Sequence, residues 1–143
     1  MKLTNYTDFS LRVLIYLASR ENTELSNIQQ IADIYGISKN HLTKVIYHLG
    51  KRGYVETIRG RNGGIRLGKS PESINIGEVV RYTEDDLVMV ECFDPKKNSC
   101  IISPICSLKH VLHEALTAYL SVLDQYTLND LTQNKDALRE LLL

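Results

Sequence analysis

Apolar residues recur at three- and four-residue steps through the first third of the chain, and then the period changes. Tyr6, Phe9, Val13, Leu14 and Leu17 mark one face of a helix over residues 5–19. The polar stretch Arg20-Glu21-Asn22-Thr23-Glu24 reads as a loop. Ser26-Asn27 then offers an N-cap to a second, short helix with Ile28, Ile31, Ala32 and Tyr35 as its apolar positions. Gly36 can take the left-handed conformation that ends it. Ser38 is the next N-cap, and Leu42, Val45, Ile46 and Leu49 stripe a third helix closed by Gly50 or Gly53. The period then drops to two. Tyr54-Val55-Glu56-Thr57-Ile58 predicts a strand, Arg59-Gly60-Arg61-Asn62-Gly63-Gly64 a tight turn, and Ile65-Arg66-Leu67 the returning strand.

Two short helices joined at a glycine form a helix-turn-helix, and a β-hairpin directly behind the second is the wing of a winged helix. The predicted fold is therefore mainly α with a small β-hairpin wing. A winged helix-turn-helix domain is expected over residues 1–70. Residues 71–107 should form a linker helix, with Ile76, Val79 and Val80 apolar, followed by an acidic exposed patch at Thr83–Asp86 and a cysteine-bearing loop. Ser103-Pro104 pairs a good N-cap with a proline at the first helical position, so a long helix is expected over 103–126. Its stripe of Leu108, Val111, Leu112, Ala115, Leu116, Tyr119, Leu120 and Leu123 is wider than the preceding domain can cover. That surplus predicts a dimerisation helix and a homodimer. Leu128, Leu131, Leu138 and Leu141 predict a final amphipathic helix over 127–143.

Charge alters the picture. The net charge is zero, yet residues 1–70 carry 11 Lys/Arg against 5 Asp/Glu, while residues 71–143 carry 6 against 12. A basic half joined to an acidic half suggests that the first half meets a polyanion. On the third helix, Ser38, Lys39, Asn40, His41, Thr43, Lys44, Tyr47 and His48 lie on or near the outer face. Such side chains donate to base edges and phosphates, and the N-terminal end of a recognition helix is where base contacts are made. Arg59 and Arg61 on the glycine-rich hairpin tip can reach a phosphate or a narrow minor groove. The candidate DNA-binding residues are thus Ser38, Lys39, Asn40, His41, Thr43, Lys44, Tyr47, Arg59 and Arg61, and the expected partner is double-stranded DNA.

No nucleophile–base pairing or phosphate-cradling glycine loop stands out, because the wing glycines do not precede a helix, so no enzyme is expected. The start of the chain lacks the apolar core of a signal peptide. There is also no apolar run of about 18 residues, the length that a membrane helix needs. A cytoplasmic location is expected, where thiols stay reduced.

The three cysteines fall in one stretch, Cys92, Cys100 and Cys106, with seven and five residues between them. Cys106 is expected in the first turn of the long helix, where the helix dipole favours a thiolate. Four readings are open: inert thiols, structural zinc, a disulfide switch and an iron–sulfur cluster. Zinc thiol pairs usually have two to four intervening residues, so the spacing suits a cluster better. Three thiolates leave one ligand to find. His110, His113, Asp94, Glu91 and a residue of a partner chain are candidates. A small iron–sulfur carrier protein is the remote alternative, and the wing and basic half argue against it.

The stretch Met1-Lys2-Leu3-Thr4-Asn5-Tyr6-Thr7-Asp8, the segment Ile37-Ser38-Lys39-Asn40-His41-Leu42, the wing Arg59–Ile65 and the cysteine triplet resemble the Rrf-type winged-helix repressors. The cysteine spacing is similar to that of their nitric-oxide-sensing members. The resemblance implies a homodimer on a near-palindromic operator, with the third helix in the major groove and Arg59 or Arg61 in the minor groove. It implies an iron–sulfur cluster on Cys92, Cys100 and Cys106, 4Fe–4S favoured and 2Fe–2S possible. It also implies a fourth ligand at Asp8 from the other subunit, and nitric oxide as the signal that releases DNA. Cluster-assembly regulators of the same family have closer cysteines and a His three residues after the last. Here that position is Lys109, with His110 one step off.

Overall fold

The computed structural model describes residues 1–21 and 23–142. Asn22 of the expected polar loop and Leu143 of the expected last helix lie outside the described residues. Helix α1 (Asn5–Ser19) is capped by Thr4, whose hydroxyl accepts from the Thr7 amide. Helix α2 (Ile28–Tyr35) is capped by Asn27 and ends at Gly36, which adopts φ 65° and ψ 34°. Helix α3 (Lys39–Lys51) begins at Ser38, whose hydroxyl accepts from the His41 amide at 3.1 Å. Each cap satisfies an amide that the first turn leaves without an intrahelical partner.

Strands β1 (Val55–Ile58) and β2 (Gly64–Leu67) pair antiparallel in the register Val55↔Leu67 to Ile58↔Gly64. Ser26 adds an isolated bridge to β2 that the period-two pattern does not reveal, exchanging both backbone hydrogen bonds with Ile65 (2.8 and 2.9 Å). One residue has no period, so only the folded chain exposes this pairing.

The core is one apolar cluster. Val13 and Leu14 of α1, Ile31 of α2, Leu42, Val45 and Leu49 of α3, and Ile65 of β2 are fully or almost fully enclosed. Each such side chain contributes about 1.5–3 kcal/mol by leaving water. The cluster extends past residue 70. Ile74, Ile76 and Val79 of the segment around helix α4 (Ile76–Thr83) belong to it, as do Leu128 and Leu142 near the C-terminus. Backbone bonds tie these ends together, with the Leu128 amide donating to the Ile74 carbonyl and the Ile76 amide to that of Tyr126.

Two expectations are corrected. The long helix α5 runs Ser107–Leu123, four residues later than Ser103 suggested. Ser103–Ile105 form a separate 3-10 turn, and Cys106 is the extended N-cap of α5 with no side-chain capping bond. The Ser103 hydroxyl instead accepts from the Asn98 side chain at 3.0 Å, so it caps nothing. The last helix is two: α6 (Leu128–Leu131), opened by a Thr127/Asp130 capping box, and α7 (Lys135–Leu142). The break after Leu131 shifts the phase, so Leu142 is buried while Leu131 and Leu141 face outward.

Candidate functional site

The third helix and the hairpin present a polar face. Ser38, Lys39, Asn40, Thr43, Lys44 and Tyr47 are exposed. Tyr47 is 67% exposed, and the Lys51 ammonium lies 4.9 Å from its ring centre. The Thr43 hydroxyl donates to the Lys39 carbonyl, which pins its rotamer without removing its acceptor capacity. His41 is only half-exposed, because its ring packs edge-on against Phe9 at 5.0 Å. His48 departs further from the expected outer face. Its ring sits between Tyr6, edge-on at 5.4 Å, and Tyr82, stacked at 4.9 Å. It lies on the flank of α3 that meets α1 and α4, at the back of a cleft whose rim Lys44 and Tyr47 share with Tyr6 and Tyr82. Burial, and after it the neighbouring Tyr82 and Asp85, push the Tyr6 phenol up to about 12.

At the wing tip Arg59 and Arg61 are exposed, and neither joins an ion pair among the described residues. Arg66, further down the hairpin, is committed to Glu56 at 2.9 Å. Two glycines permit the tip. Gly60 holds φ 109°, a region that L side chains rarely enter. A Cβ on Gly63 would run into the Ile58 and Gly60 carbonyls. The result is two exposed guanidiniums on a narrow backbone turn beside the exposed face of α3.

The acidic half holds the thiols. Cys92, Cys100 and Cys106 are free and half-buried. Their segment is built from short turns. The Cys100 amide donates to the Asn98 side chain, the Ser99 hydroxyl to Glu91, and Phe93 meets His113 of α5 edge-on at 5.9 Å. No three His, Cys, Asp or Glu side chains among the described residues are gathered closely enough to hold a metal ion. The donor chemistry nonetheless fits soft iron, with three unpaired thiols on one accessible segment. Asp8 is in the first turn of α1, its carboxylate gripped in a two-point pair by Arg12 (3.1 and 2.9 Å). His110 and His113 are exposed on α5.

Helix α5 buries little of its stripe. Leu120, at 8% exposure, is its one buried residue. Leu108 is 61% exposed, Val111 and Val122 are open, and Ile101 and Ile105 beside the thiols are more so, Ile101 at 94%. No helix among the described residues is long and apolar enough to cross a membrane.

A basic recognition helix followed by an arginine-tipped hairpin is the working surface of a winged helix-turn-helix DNA-binding regulator. Residues 3–134 match the Rrf2 family, described as iron-dependent transcriptional regulators, and the chain belongs to that family. It is 72% identical to the HTH-type transcriptional regulator NsrR of Bacillus licheniformis over 142 residues, 99% of each chain. It is 71% identical to the NsrR of Bacillus subtilis, covering 99% of this chain and 97% of that one. The fold is similar to that of CymR, the global cysteine regulator of B. subtilis, with a TM-score of 0.74 at 25% identity over 94% of this chain and 98% of that one. These matches make the protein a transcriptional regulator of the Rrf2 family.

Proposed function

We propose that the protein is a homodimeric, cytoplasmic repressor that senses nitric oxide through an iron–sulfur cluster and releases operator DNA in response. The observation that carries this reading is the thiol triplet at the start of a helix whose apolar face is open. Cys92, Cys100 and Cys106 would hold the cluster, 4Fe–4S in preference to 2Fe–2S, with Asp8 of the partner subunit as fourth ligand. When bound, such a cluster supplies iron as the target for a small diatomic gas. A carboxylate holds iron less firmly than a thiolate does, so the Asp8 position is the natural point of attack. The charged Lys109, where the cluster-assembly regulators place a His, weighs against that alternative.

The chain's own parts then link sensing to DNA. Ser38, Lys39, Asn40, His41, Thr43, Lys44 and Tyr47 would enter the major groove, with Arg59 or Arg61 in the minor groove. The exposed stripe of α5 would pack on its copy and set the distance between two such surfaces. Cys92, Cys100 and Cys106 would tie their segment down while they hold the group, and the segment would be free to relax without it. A 100-fold loss of affinity needs only about 2.7 kcal/mol, which a small change in half-site spacing can supply.

The test is anaerobic purification followed by absorbance spectra and iron and sulfide counts, then operator binding before and after a nitric oxide donor. The expected result is a coloured protein that loses its operator on exposure. A colourless protein without iron or sulfide that still binds operator would overturn the cluster and leave a direct thiol- or metabolite-responsive repressor.

A further inference from the structure

Three consecutive residues end α4, and each grips a different part of the DNA-binding half. The Tyr82 phenol donates to the His48 carbonyl at 2.7 Å, while its ring stacks on the His48 ring. The Arg52 guanidinium, just past α3, lies 4.6 Å from the Tyr82 ring centre. The Thr83 hydroxyl lies 2.9 Å from that of Thr7 and 2.8 Å from the Val79 carbonyl. One hydroxyl carries one proton, so Thr83 donates to Val79 and accepts from Thr7. Thr7 in turn accepts from Thr4 at 3.3 Å. Thr7 and Thr83 are both buried, which makes this hydroxyl relay costly to break. The Glu84 carboxylate accepts from the Thr4 amide at 2.8 Å, just ahead of α1.

The placement of these bonds is specific. Tyr82 holds the last turns of the recognition helix by its backbone, so it acts on helix orientation and not on any DNA-facing side chain. Thr83 and Glu84 hold the start of α1, the turn that carries Asp8. The same three residues are the base from which the chain runs on to Cys92, eight residues after Glu84.

We propose that Tyr82, Thr83 and Glu84 form a clasp that sets the orientation of the recognition helix against α1 and passes the state of the thiol segment to it, with Tyr82 as the positioning residue. The coupling part rests on the cluster reading above. The positioning part stands without it.

The test uses the full-length protein, loaded anaerobically and stripped, with Tyr82→Phe, Thr83→Val and Thr83→Ser. Operator affinity is measured on duplexes that the wild type selects from a random pool, alongside amide hydrogen exchange in residues 47–51. Tyr82→Phe keeps the stack and loses one hydrogen bond. It should weaken operator binding of the loaded form by about tenfold and speed exchange at the end of α3, with iron and sulfide content unchanged. The stripped form should change much less, so the ratio between the two forms contracts. Thr83→Val should act in the same direction, and Thr83→Ser, which keeps the hydroxyl, should restore the wild-type ratio. Equal losses in loaded and stripped forms would overturn the coupling. Unchanged affinity and exchange in both Tyr82→Phe and Thr83→Val would overturn the clasp altogether. A wild type without iron would sink the cluster reading alone, because the exchange and affinity comparisons still decide the positioning role.

Discussion

The two halves of this chain handle apolar surface in opposite ways. In the basic half, α1, α2, α3 and the hairpin close around Leu14, Ile31, Leu42 and Leu49, and little of their apolar faces is left open. In the acidic half, α5 keeps Leu108, Val111 and Val122 in solvent, with Ile101 and Ile105 beside them. The first half is finished within one chain. The second leaves an apolar face of α5 open, and it carries the thiols at the same place. In the proposed dimer, a region covered by a second copy would be suited to report on its own chemistry, because its packing is not decided within one chain.

The same substitution made in both halves tests that contrast most severely. Leu42→Ala should cost about 3 kcal/mol in denaturant unfolding, since a fully buried leucine leaves a cavity. Leu108→Ala should leave unfolding of the isolated chain almost unchanged and shift the monomer–dimer equilibrium seen by sedimentation. Unaltered self-association in Leu108→Ala would mean that the open face of α5 is not the dimer contact. Next in size is Cys100→Ser, which should abolish iron binding and weaken operator binding by about 100-fold, or 2.7 kcal/mol, with the circular dichroism spectrum retained. A serine variant that keeps full affinity would separate the thiols from DNA control.

Asp8→Ala should leave the fold intact while altering cluster stability or the nitric oxide response; identical spectra and response would remove Asp8 from the site. Arg59→Ala with Arg61→Ala should weaken operator binding about tenfold and flatten its salt dependence, leaving cluster absorbance alone. Full-strength binding would make the wing purely structural. The smallest effect concerns the joint between α4 and α5 inside the acidic half, where Arg81 of α4 holds Asp124 at the end of α5 in a two-point pair. The hydrogen bond from Arg81 holds the Asp124 carboxyl below its ordinary range. Its folded-state value lies below the unfolded one, so its stabilisation is present at neutral pH and fades as pH falls through the acidic range. Asp124→Asn should therefore flatten the acid limb of the stability profile; an unchanged limb would show that the pair contributes nothing.

Much of the basic half was legible because its signals are local. Helix periods, the Ser38 cap, Gly36 and the glycine-rich turn each act within a few residues, and each element formed where its pattern placed it. The Ser26 bridge leaves no signal in the sequence, since a single residue has no period. The pattern of α3 places His48 on or near the outer face, but stacking on Tyr82, 34 residues away, turns it inward. The start of α5 departs from its local signal because Ser103-Pro104 is a valid cap whose hydroxyl Asn98 claims.

Sequence by itself determined the helices and hairpin of the basic half, the exposed Arg59 and Arg61, and the grouping of Cys92, Cys100 and Cys106 in one segment. Composition and short-range spacing suffice for these, because caps, periods and donor types do not depend on distant residues. Only the tertiary structure decided that Tyr82, Thr83 and Glu84 meet His48, Thr7 and Thr4, and that Ile74, Leu128 and Leu142 join the core of the first half. Hydrogen bonds and burial join residues far apart in the chain, and their partners are chosen by packing rather than by any pattern along it.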